Sequence, residues 1–133
     1  MFLPKLLTLS KEERICSRKQ VESLFNEKGN RVLSLYPLRV VYKFEKQCDD
    51  QAAKAQMMVS VSKRHFKHAV MRNRVKRQLR EAYRKNKYIV VEKMSLKGGL
   101  LLMAFIWLAD NLYETRDVEQ CMKGILTRLS EHL

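Results

Sequence analysis

The stretch HAVMRNRVKRQLREAYRKNK, His68–Lys87, holds eight Lys or Arg and a single acid, Glu81, yet its apolar residues return every three or four positions. At about 100° per residue, Met71, Val75, Leu79, Ala82 and Tyr83 fall in one arc, the face that a core buries. Lys76, Lys87, Arg80, Asn73, Arg84 and Arg77 follow round the opposite side, with Arg74 and Lys85 beyond, so one amide sits inside a one-sign stripe. A helix over 68–86 is therefore predicted, buried on one face and cationic on the other. The cationic face is not a neutral choice. Arg72, Lys76, Arg80 and Arg84 stand four apart, and like charges at that spacing repel by a few tenths of a kcal/mol per pair, whereas a merely solvated helix mixes signs. A polyanion relieves the repulsion. Most of these cations are Arg, whose planar fork meets phosphate in bidentate fashion.

Working outward, residues 63–87 carry eleven Lys or Arg against Glu81 alone, a net +10 of the chain's formal +13. Such concentration calls for a phosphate backbone, where each displaced counterion adds favourable free energy. A chain of 133 residues with 46% hydrophobic residues fits one folded domain, since domains of this size bury about two-thirds of their unfolded surface. Residues 1–15 read as a loosely ordered N-terminal segment: MFLPKLLTLS is short, is interrupted by Pro4 and Lys5, and lacks the small-residue cleavage site of a signal peptide. The longest apolar run, Leu100–Ala109, is ten residues, about half of a membrane span. The expectation is a cytoplasmic protein without a membrane partner. Cys16, Cys48 and Cys121 have no short spacing, which argues for reduced thiols rather than a zinc site or disulfide framework.

Before the basic helix, Ser17 and Gln20 have capping-box spacing, and Val21, Leu24 and Phe25 recur at helical positions ahead of Gly29, giving a helix over 17–28. NRVLSLYPLRVVYKFEK is rich in β-branched and aromatic residues, and Pro37, which cannot donate to a ladder, divides it into strands at 31–35 and 38–45. In the second strand Leu38, Val40, Tyr42 and Phe44 share one face, and Arg39, Val41, Lys43 and Glu45 the other. QCDDQAAKAQ is a polar connection and MMVSVS, 57–62, a third strand. After the basic helix YIVVEKMSLKGG fits either a helix or a strand, because its apolar run is short. LLLMAFIWL suits a central strand covered on both faces. Thr115 is placed to cap a final helix striped by Val118, Cys121, Met122, Ile125, Leu126 and Leu129. The order is αβββαβα, an α+β class.

Duplex DNA, an anionic membrane and RNA remain as partners for the stripe. A membrane helix needs bulky apolar residues to insert, but the apolar face here is claimed by a domain with several strands. A DNA-reading helix usually sits in a compact helical module, not between a third and a fourth strand. Backbone contact with structured RNA suits both the stripe and the mixed fold. A sequence-independent RNA-binding or ribosome-associated module and a DNA-binding regulator are the alternatives to any more specific RNA role.

VSKRHFKHAVMRNRVKRQLREAYR closely resembles the signature of the bacterial ribonuclease P protein family. Ser62, Lys63, Arg64, Ala69, Val70, Arg72, Asn73, Arg74, Lys76, Arg77, Arg80 and Glu81 match it in order. The resemblance implies an α-β sandwich with a left-handed βαβ crossover. It also implies a division of labour, in which a catalytic RNA with bound Mg2+ removes the 5′ leader of precursor tRNA while the protein binds that RNA and the leader. Lys63, Arg64, Arg72, Asn73, Arg74, Lys76, Arg77, Arg80 and Arg84 are then the RNA-binding set, with no catalytic residue and no metal on the protein. The leader would lie between the basic helix and a sheet face. There Phe25 matches the second of a family pair of Phe residues, Val21 stands at the first, and Tyr42 is the sheet aromatic, with Tyr36 the alternative. The family's Gly between the basic pair and Ala69 is absent, and KRHFKH is one residue longer.

Other chemistry is thinly represented. His65 and His68 are too few for a zinc site even with Cys48 or Cys121 nearby. Asp49 and Asp50 are adjacent in a polar loop, and Glu81, among arginines, is placed for intrahelical ion pairs; a metal-dependent nuclease needs several converging carboxylates. Trp107 and Phe105 read as core.

Overall fold

The computed structural model describes residues 13–15, 21–22, 24–25, 30–45 and 55–133. Strands β1 (Arg31–Leu35) and β2 (Leu38–Glu45) form an antiparallel hairpin, Leu35 opposite Leu38 and Arg31 opposite Tyr42. Tyr36 and Pro37 make its turn, where the missing Pro N–H costs no ladder bond. Strand β3 (Ala55–Val61) precedes helix α1 (Ala69–Asn86) and helix α2 (Tyr88–Lys97). Strand β4 (Leu100–Trp107) and helix α3 (Thr115–Glu131) follow. The sheet order is β1-β2-β4-β3, with β4 antiparallel to β2 and parallel to β3. The parallel pair forces a crossover, and α1 and α2 supply it. Val21, Glu22, Leu24 and Phe25 are helical, within the helix expected over 17–28, whose other residues lie outside the described ones. So do residues 1–12 of the expected loose segment and 47–54 of the polar connection.

The unbroken apolar run of β4 follows from its place between β2 and β3. Leu101, Met103, Phe105 and Trp107 point into a core under the helices, while Leu100, Leu102 and Ala104 meet Ile15, Leu24 and Val41 on the other face. Val75, Leu79, Ala82 and Tyr83 of α1 are fully buried, and α3 adds Val118, Met122, Ile125, Leu126 and Leu129. Each buried aliphatic side chain contributes about 1.5–3 kcal/mol. The Tyr83 and Phe105 rings lie 5.8 Å apart, and Trp107 and Tyr113 meet edge to face at 5.1 Å. Among the described residues no helix is long and apolar enough to cross a membrane.

Residues 88–97, which fit either a helix or a strand, are helical, because Val90 and Met94, four apart, are the buried pair while Glu92 and Lys93 face solvent. Three expectations are corrected. β3 starts at Ala55 because β4 extends to Leu101 opposite it. Glu114, not Thr115, occupies the N-cap of α3, and the Thr115 hydroxyl instead accepts from Gln78 Nε2 at 3.3 Å. Met71, in the first turn of α1, is 40% exposed, ahead of the first buried residue of that helix, Val75.

Candidate nucleic-acid interface

Helix α1 begins without an acid in its first turn or a side-chain cap at His68, so the positive end of its dipole is left to add to the cationic face. Asn73, Arg77 and Arg80 are exposed and Lys76 and Arg84 half-buried, in agreement with the outward arc. These five line a groove of about 530 Å³, and its opposite wall is Arg14. Arg14 bridges to Met57 along the free edge of β3, and the Ile15 N–H donates to the Met57 carbonyl at 3.0 Å. The preceding Glu13 accepts from Lys87 Nζ through both carboxylate oxygens at 2.8 Å. Residues 13–15 are thus pinned beside α1 from two sides.

Glu81 is the acid of the groove, and it is engaged. Arg84 Nε donates to its Oε2 at 3.1 Å, and Nη2 approaches Oε1. That hydrogen bond holds the Glu81 carboxyl below its usual range against the opposing effect of burial, with lesser help from the charges of Arg84 and Lys85. Arg84 is raised in turn, chiefly by the same bond. The carboxylate therefore fixes an Arg in place rather than facing the groove as a free anion.

The other expected RNA-binding residues are dispersed. Arg72 Nη1 donates at 2.9 Å to the carbonyls of Phe66 and Lys67, which ties the incoming loop to the helix. Lys63 and Arg64 are exposed on a turn closed by His65 and Phe66 N–H donation to the Ser62 carbonyl, and Arg74 is exposed outside the groove lining. Lys87, assigned to the stripe by helical geometry, is only 6% exposed, because α1 stops at Asn86 and the side chain turns to Glu13. His65 Nδ1 lies 2.6 Å from Asp110 Oδ1. Among the described residues no three His, Cys, Asp or Glu side chains gather as metal ligands.

Phe25, Val21 and Tyr42 do not form one cleft. Tyr42 is 5% exposed within the core under the helices, so its ring offers no open stacking surface. Val21 packs on the opposite sheet face with Leu24 and Val41, and Phe25 beside it is 43% exposed. The strand alternation that put Tyr42 with Phe44 was right, but that face is sealed by α1 and α3. Tyr36, at the hairpin turn, is 67% exposed.

A mixed sheet that holds one helix with its one-sign face along a groove defines a class of small basic α+β protein built to grip a polyanion. The profile of the Ribonuclease P family matches residues 9–129. Ribonuclease P protein components from two strains of Porphyromonas gingivalis are 38% identical over 130 residues, covering 98% of this chain and 92% of theirs. The fold is similar to that of the ribonuclease P protein from Thermotoga maritima, at TM-score 0.66 and 18% identity over 87% of this chain and 96% of that one. It is also similar to that from Staphylococcus aureus, at TM-score 0.61 and 17% identity over 88% and 94%. The chain belongs to the ribonuclease P protein family.

Arg14 is the groove residue that pattern reading missed. Its segment has no periodicity to interpret, and its place beside α1 depends on contacts with β3 and Lys87, far away in sequence.

Proposed function

We propose that this protein is the RNA-binding subunit of ribonuclease P, in which a catalytic RNA removes the 5′ leader of precursor tRNA in the bacterial cytoplasm. Family membership carries the tRNA-processing role and an RNA partner. The observation that carries the finer reading is the groove, where Asn73, Lys76, Arg77, Arg80 and Arg84 of one helix face Arg14 and Glu81, the one acid of the lining among the described residues, is tied to Arg84. This arrangement binds phosphates and supplies no general base, so the phosphodiester chemistry is assigned to the RNA. Mg2+ serving that chemistry is assigned to RNA phosphates, with the protein as a counter-charge. The chain is taken as one RNA-binding domain over 1–133.

For the leader, the rim of the sheet face that carries Val41, where Phe25 stands half-exposed, replaces the helix-covered face as the proposed path. An aromatic there offers about 1–3 kcal/mol of stacking per base. Reconstitution tests the whole reading: the protein is mixed with ribonuclease P RNA at low magnesium and precursor tRNA cleavage is followed. Enhanced cleavage is expected. No enhancement, or equal cleavage by the protein alone, overturns it.

A further inference from the structure

At the edge of the sheet opposite the groove lies a second cationic pocket, of about 290 Å³, that shares no residue with it. Arg31 at the start of β1, Lys97 at the end of α2 and His132 beyond α3 line it, all exposed, together with Tyr42, Lys43, Phe44 and Leu133. Lys97 is held in place: its ammonium lies 4.4 Å from the centre of the Phe44 ring, a cation–π contact. The Gly98–Gly99 turn makes that approach possible. At Gly99 (φ +90°) a Cβ would fall 2.7 Å from the Glu45 carbonyl oxygen and 2.8 Å from Phe44 Cζ, so only glycine lets the chain leave α2 this close to β2. Arg31 and Lys97 make no ion pair among the described residues, while the nearby carboxylate of Glu45 lies 3.7 Å from the Nζ of Lys43, a further cation of the pocket lining.

We infer that Arg31 and Lys97 form a second phosphodiester contact for RNA, at the β1 edge, so that one protein grips two separate stretches of an RNA strand or of a folded RNA. The inference rests on the RNA-binding reading above and extends it to a new surface. Because the Phe44 ring already carries Lys97, the pocket offers no stacking platform, and recognition is of phosphate rather than base. A guanidinium fork beside an ammonium is matched to phosphate oxygens. With the α1 groove it gives the fold two cationic edges separated by the width of four strands, about 14 Å between outer strand axes.

The test compares full-length wild type, Arg31→Gln/Lys97→Gln and a control of equal charge loss outside both pockets, Lys93→Gln/Arg128→Gln. Both pairs are exposed, and circular dichroism confirms that each variant is folded. Affinity for ribonuclease P RNA is measured across a salt series, with polyglutamate as a second polyanion. The pocket variant is expected to flatten the dependence of log K on log[salt] by about 1.4, about 0.7 for each lost contact, with the control close to wild type. Equal slopes for pocket variant and control reduce the effect to net charge and overturn the inference. It is also overturned if the pocket variant keeps its RNA affinity and loses polyglutamate, which reassigns the pocket to an acidic polypeptide. Failure of the wild type itself to bind RNA in a salt-dependent way would instead remove the RNA-binding reading and the pocket with it.

Discussion

The two faces of the sheet are built from the same alternating strands and put to opposite uses. Under α1 and α3, Leu38, Val40 and Tyr42 meet Met103, Phe105 and Trp107 in one buried cluster. On the other face Val41, Leu102 and Ala104 are covered by Ile15 and Leu24, and Phe25 is left half in solvent. An aromatic on a strand is thus not a binding residue by type. What decides is whether a helix has already taken its face.

The largest effect that distinguishes the faces belongs to Tyr42. Tyr42→Ala should cost about 3–5 kcal/mol, as truncation of buried aromatics does, read as a lower urea midpoint, while Tyr42→Phe should bind precursor tRNA like wild type. A stable Tyr42→Ala that has lost only leader affinity would return the leader to the sealed face. Phe25→Ala should do the reverse: a small change in urea midpoint, and a loss of about 1–3 kcal/mol for leader-bearing tRNA that leaderless tRNA does not show. Equal losses for the two substrates would make Phe25 part of the core.

The smallest expected effect lies at the groove. Glu81 is held below its usual range mainly by its hydrogen bond from Arg84. A carboxylate with a lowered folded pKa stabilises the protein above its unfolded pKa, about 4.3, and loses that contribution as pH falls through the folded value. Arg84→Gln should therefore raise the Glu81 titration midpoint followed by NMR and remove this acid-side sensitivity. An unshifted midpoint would show that the pair does not persist in solution.

Much of this was legible in the chain. The division of 31–45 at Pro37, the buried arc of Val75, Leu79, Ala82 and Tyr83, and a doubly covered β4 all follow from local periodicity and agree with the structure. Residues 88–97 did not yield, since Ile89, Val90 and Val91 fit either period and only packing of Val90 and Met94 decides. The helix side of the candidate groove was legible on α1, where Asn73, Arg77 and Arg80 line it together. It was not legible in Arg14 or in the choice of sheet face, because both depend on which distant segments meet. Arg72 and Lys87 show the same boundary: helical geometry places both in the stripe, while Arg72 bonds the carbonyls of the incoming loop and Lys87 pairs with Glu13 inside the fold.

The ion pair of Glu13 with Lys87 closes a loop over more than half the chain and sets Arg14 opposite the basic helix. The groove is therefore a property of the assembled fold and not of its best-marked segment. A peptide of residues 68–87 would carry the stripe of cations and none of the far wall, a ribbon of charge without a grip.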